Sequence, residues 1–154
     1  MLINMKIEDK INESIFESMK LKDSLRLDSL RAIKSAILIE KTKLRSKDHI
    51  EESVILKILQ KMVKQRNDSA KIYLEQKREE LAEVELSQAN IISEFLPAQL
   101  NHSDLSKIID KVIEDLGAQS MKEMGKVISI VNNKVSGQAE GRVIAEIIKK
   151  KLMN

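Results

Sequence analysis

Residues that readily end a helix are nearly absent from the first hundred positions. The only proline is Pro97, and the four glycines all follow it, at 117, 125, 137 and 141. A β-fold needs a turn every ~8–12 residues and draws mainly on these residues to make one. This supply is too small, so the expected fold class is all-α. The stretch Ile91–Leu100 separates two regimes: unbroken helical patterning before Pro97, and short helices alternating with turn signals after it. The expectation is an elongated N-terminal helical domain, residues 1–97, followed by a compact three-helix C-terminal module, residues 98–154.

Hydrophobic residues make up 42% of the chain and charged residues 33%, a pairing that suits amphipathic helices with wide solvated faces. With only Phe16, Tyr73 and Phe95 as aromatics, the core has to be built from Ile, Leu, Val and Met. The absence of cysteine excludes disulfides, thiolate nucleophiles and Cys-ligated metals. Neither an apolar leader of ~7–15 residues nor a membrane span of ~20 apolar residues is seen. From this the expectation is a soluble, cytoplasmic protein with no membrane partner.

Apolar spacing places the helices. Ile7, Ile11, Ile15 and Met19, with Phe16 beside them, mark the first; Asp23 is read as the N-cap of the second, which carries Leu27, Leu30, Ile33 and Ile37 to about Lys43. Asp48 to Glu51 fits a capping box for the third, whose apolar stripe fades after Val63, so its later turns should pack loosely or project. The fourth starts near Glu79 and presents Leu81, Val84, Ile91/Ile92 and Phe95 until Pro97 ends it. In the C-terminal module, Asn101 opens a helix closed by Gly117, and Ser120 to Glu123 is a second capping box. Gly125, inside the next helix at about 1 kcal/mol relative to alanine, suggests a closely packed neighbouring backbone. The last helix carries Val143/Ile144, Ile147/Ile148 and Leu152.

Charge is segregated along the chain, although the net value is only +3. Lys20–Lys47 holds nine Lys/Arg against three acids, Glu79–Glu94 five acids and no base, and Lys122–Lys151 seven bases against three acids. A catalytic constellation is missing. His49 and His102 are read as first-turn polar residues of separate helices, without metal-ligand neighbours. Gly137 and Gly141 lack the Lys-Ser/Thr of a phosphate loop. No catalytic residue, metal site or cofactor is expected, and the chain is at most an accessory subunit of an enzyme. The binding candidates are basic: Arg26 and Arg31 in the second helix, Lys64 and Arg66 in the third, and Lys122, Lys126, Lys134 and Arg142 in the C-terminal module. With three aromatics, all at core-facing positions, a stacking platform for single strands is disfavoured. Such a set would contact phosphates and the shape of a folded RNA.

Five phrases carry a family resemblance: Arg26-Leu-Asp-Ser-Leu-Arg31, Lys64-Gln-Arg-Asn-Asp-Ser69, Ile92-Ser-Glu-Phe-Leu-Pro-Ala-Gln-Leu100, Met124-Gly-Lys-Val127 and Gly137-Gln-Ala-Glu-Gly-Arg-Val143. In order and spacing they closely resemble the standalone GatB/YqeY family over essentially the whole length. One departure stands out: the family pattern has Gly-Arg-Ala-Asp-Gly where this chain has Gly137-Gln-Ala-Glu-Gly141, so a base is lost at Gln138. The resemblance implies a helical N-terminal part and a three-helix C-terminal module, like the helical and tail domains of GatB. GatB is the tRNA-binding subunit of the amidotransferase that converts Glu-tRNA(Gln) or Asp-tRNA(Asn), a carbon–nitrogen ligase with glutamine as amide donor. Implied partners are therefore tRNA and amidotransferase subunits, the chemistry residing in other domains and subunits. The alternative is a helical protein–protein adaptor without RNA binding, supported by the acidic fourth helix and the fading stripe of the third.

Overall fold

The computed structural model describes residues 5–45 and 49–154. The fold is all-α, with seven α-helices and no strand among the described residues. In order these are α1 (Ile7–Lys20), α2 (Ser24–Lys43), α3 (Glu52–Glu75), α4 (Glu79–Ser93), α5 (His102–Leu116), α6 (Met124–Lys134) and α7 (Gly141–Met153), with a 3-10 turn at Met121–Glu123 leading into α6. The chain divides into two compact units, Met1–Leu96 and Pro97–Asn154.

In the first unit α1, α2, and the facing ends of α3 and α4 enclose Ile7, Ile11, Leu30, Ile33, Ile37, Ile55, Leu59, Met62 and Ile92. Each such side chain, fully withdrawn from water, contributes about 1.5–3 kcal/mol of apolar transfer. The partly buried residues of this core end at Val63 on α3 and resume at Ile91 on α4. Between them the two helices pack on each other alone, an antiparallel arm that continues for about 18 Å beyond Val63 at 1.5 Å per residue. Ala70, Ala82 and Ala89 are buried along it, small side chains that let the two backbones approach. This corrects the first half of the face expected of α4, while Ile92 is buried and Ile91 and Phe95 pack on the core as expected. Leu81 and Val84 are exposed and Ala82 and Ala89 are inside, because a close helix pair selects small residues over large ones.

The first helix departs from expectation in the same way. Ile7 and Ile11 are buried, but Met19 is exposed and Phe16 is 65% exposed. In the last turn of α1 the inward position belongs to Ser18, whose hydroxyl donates to the Ser14 carbonyl at 2.7 Å. The premise that all three aromatics face a core therefore fails at Phe16.

Helix breaks without glycine explain the unpunctuated front half. Lys22, Arg45 and Lys77 sit at positive φ (54°, 53° and 60°), the left-handed position that glycine usually takes after a helix. At two of them the next amide closes the helix end: Asp23 N–H donates to Ser18 O at 3.0 Å and Arg78 N–H to Tyr73 O at 2.8 Å. Each basic residue also lies at the negative end of a helix dipole. Asp23 caps α2 as expected, its carboxylate accepting from Arg26 N–H at 3.1 Å. The Asp48 cap and the Ser46–Lys47 link lie outside the described residues. His49 falls three residues before α3, not in its first turn. Helix α4 stops at Ser93, four residues short of Pro97. Phe95 and Leu96 N–H donate to Ile92 and Ser93 O in three-residue steps that tighten the end before the proline.

The second unit packs α5, α6 and α7 pairwise around Leu105, Ile109, Val112, Val127, Val131, Val135, Ile144, Ile148 and Leu152. Asn101 caps α5, accepting from Asp104 N–H at 2.8 Å, and Gly117 closes it at φ 68°. The expected capping box at Ser120 is present: Glu123 Oε2 accepts from Ser120 N–H at 2.9 Å. Its helix begins as the 3-10 turn and becomes α-helical only at Met124. The segment after Pro97 is clasped to the α6–α7 turn. Leu100 N–H donates to Gln138 O at 2.9 Å, and Gln99 Nε2 donates to Gly137 O at 2.7 Å.

Candidate nucleic-acid interface

The eight basic residues singled out by sequence fall into three structural groups. Arg26 and Arg66 are held inside the first unit. Arg26 Nη1 lies 2.7 Å from Glu94 Oε2, and its Nη2 donates to Ser14 Oγ at 3.1 Å, so the guanidinium ties α2 to α1 and to the end of α4. Arg66 Nε donates to Gln88 Oε1 at 3.2 Å across the arm, and Nη1 donates to the Met62 carbonyl at 3.4 Å. These fork-shaped donors are spent on the fold.

Lys64 and Arg142 make surface pairs one turn along their own helices. Lys64 Nζ is 2.9 Å from Asp68 Oδ2, and Arg142 Nε is 3.2 Å from Glu146 Oε1. With both partners of each pair about half exposed or more, such contacts are weak, and a phosphate can replace the carboxylate.

Arg31, Lys122, Lys126 and Lys134 are exposed and have no ion-pair partner among the described residues. Lys122 stands on the 3-10 turn and Lys126 four residues later in the first turn of α6. Lys134 ends α6, about 12 Å further along the axis, beside a shallow depression lined by Val112, Asp115, Leu116 and Ile130. Arg142 opens α7. Within the second unit these four line the α6 surface and the start of α7, without a contact that gathers them into one pocket.

Gly125 corrects a sequence expectation. A Cβ built there meets nothing within 4 Å, and the residue is exposed, so no neighbouring backbone requires the glycine. It leaves bare main chain between Lys122 and Lys126. Gln138 donates its side-chain amide to Ala98 O at 3.4 Å, so it serves the clasp rather than an anion. The sequence reading missed that clasp, because its acceptors are the backbone carbonyls of Gly137 and Gln138, which any residue would supply.

Glu123 is the acidic neighbour of this surface. Its carboxyl lies below the usual carboxylate range, chiefly because the Ser120 backbone N–H donates to it, with further donation from the Ser120 hydroxyl and the Gln119 backbone N–H. It therefore stays ionised beside Lys122 and fixes the start of the helical path. Among the described residues no group of three or more His, Cys, Asp or Glu converges as a metal site. No described helix is long and apolar enough to cross a membrane.

Comparison with known proteins places the chain. A family model described as Yqey-like protein matches residues 8–152. Three fungal proteins, each named Altered inheritance of mitochondria protein 41, mitochondrial, are similar to it. The Clavispora lusitaniae protein is 30% identical over 124 residues, covering 71% of this chain and 73% of its own. The Candida glabrata protein is 30% identical over 86 residues, covering 56% and 47%. That from Kluyveromyces lactis is 28% identical over 88 residues, covering 57% and 47%. The matched segments thus span about half the length of two of these relatives. The cytoplasmic expectation is overturned: these relatives are mitochondrial by name, and a missing apolar leader is no evidence of compartment.

Proposed function

The chain belongs to the Yqey-like protein family, and on that premise we propose that its second unit is a tRNA-binding module that docks phosphates of the folded RNA. The observation that carries the reading is that Lys122, Lys126 and Lys134 stand exposed and uncommitted on one short stretch of the second unit, whereas Arg26 and Arg66 are consumed by the fold. Arg142 joins them when phosphate displaces Glu146. The bare main chain at Gly125 adds a place where an RNA backbone can approach without steric cost.

Likeness to the tail domain of GatB supplies tRNA as the RNA class and amidotransferase subunits as companions. The chain would act as a binding or accessory element of amide transfer to tRNA-borne Glu or Asp, with the reaction centre on another subunit. The relatives' name states neither a ligand nor a reaction, so it bears on neither point.

The test is a tRNA titration at several salt concentrations, with Lys122→Ala/Lys126→Ala/Lys134→Ala beside wild type. Wild-type affinity should fall linearly in log–log form with salt, and the variant's slope should be shallower by about one unit per lysine. Unrelated tRNA sequences should weaken alike, because phosphates carry no base information. An unchanged slope in the variant refutes the placement of the site. No binding at low salt refutes the RNA reading and favours the adaptor alternative.

A further inference from the structure

Independently of the RNA reading, the first unit leaves two helix faces uncovered. On the arm, Glu80, Glu83, Val84 and Ser87 recur at the three- and four-residue spacing of a single face of α4. Glu80 and Glu83 are exposed and Val84 is 47% exposed. On α2, Leu27, Arg31, Lys34 and Leu38 recur at four-, three- and four-residue spacing. Arg31 and Lys34 are exposed and Leu38 is 64% exposed. Lys34 and Leu38 also border a groove between α1 and α2 that Ile11 and Ile37 line. None of Glu80, Glu83, Arg31 and Lys34 has an ion-pair partner among the described residues.

These are stripes of the same kind and opposite sign. Each carries two charges and a large apolar residue at the spacing by which helices seat on one another. Being exposed, they do not cover each other within one chain. The acidic stripe belongs to a stretch with no base from Glu79 to Glu94, and the basic stripe lies in the most positive stretch of the chain. We propose that the two faces meet between copies: the α4 arm of each protomer lies on the α2 face of the other, Val84 against the α1–α2 groove, and Glu80 and Glu83 against Arg31 and Lys34. Reciprocal contacts of this kind close a twofold dimer instead of an open filament. The occupant is a second copy because both complementary surfaces are present in the same unit of one chain.

Sedimentation velocity of the RNA-free full chain over a dilution series, at low and high salt, tests this. Wild type should be dimeric at low salt and dissociate at high salt. The reversals Glu80→Lys/Glu83→Lys and Arg31→Glu/Lys34→Glu should each weaken the dimer at least tenfold, roughly the effect of losing close charge pairs. The four changes together should restore it. All four positions are exposed, and the combined variant has the net charge of wild type, so folding and solubility stay comparable; circular dichroism checks the helix content. A wild type that stays monomeric, a dimer indifferent to either reversal, or failure of the combination to restore association overturns the proposal.

Discussion

Replacing Arg26 with alanine separates a residue that holds the fold from one that binds RNA. The guanidinium pairs with Glu94 at 2.7 Å and donates to Ser14 Oγ at 3.1 Å, and its side chain is 28% exposed. Glu94 is half exposed, so solvent limits the ion pair to about 0.2–1 kcal/mol. The hydrogen bond to the serine adds about 0.5–1.5 kcal/mol. Arg26→Ala should therefore destabilise the chain by about 1–2 kcal/mol in urea unfolding, seen as a lower midpoint with little change in slope. A double-mutant cycle with Glu94→Ala should give a coupling of about 0.5–1 kcal/mol, because the two side chains share one contact. Measured where both proteins are folded, tRNA affinity and its salt slope should equal those of wild type. Unchanged stability together with a salt slope shallower by about one unit would refute the structural assignment and return Arg26 to the RNA surface.

Gly125→Ala should raise stability by about 0.4–1 kcal/mol, seen as a higher melting temperature, since the new methyl meets nothing within 4 Å and alanine is the better helix former; destabilisation would mean that a packed neighbour exists after all. Ala82→Leu should cost about 1–3 kcal/mol in chemical unfolding and accelerate amide exchange along the arm, because Ala82 is 1% exposed where α3 and α4 pack. For Glu123, a carboxyl titration followed by NMR should show a midpoint below the ordinary value of 4.5. A carboxylate held lower in the folded state than in the unfolded one stabilises above the unfolded value, and that contribution disappears as pH falls through the folded value. Glu123→Gln should lose this acid-side dependence while keeping a capping side chain; an acid unfolding profile identical to wild type would refute the link.

Sequence alone determined the elements. Few glycines, one proline and three- to four-residue apolar spacing dictate helices, because these are local properties of the backbone. Caps follow for the same reason: Asp23, Asn101, Ser120 and Gly117 do what their chemistry and neighbours within four residues permit. Tertiary structure decided which side of a helix is inside when two apolar sides compete. On α4 the close approach of α3 buried Ala82 and Ala89 and turned Leu81 and Val84 outward, which no pattern of hydrophobicity on α4 could reveal. The same dependence on distant neighbours sorts the bases. Arg26 and Lys126 are both simply basic in the sequence, but one reaches Ser14 and Glu94 while the other reaches none of the described acids. Whether a charge is consumed by the fold or offered to a partner depends on residues far away in the chain, and only folding brings those residues near.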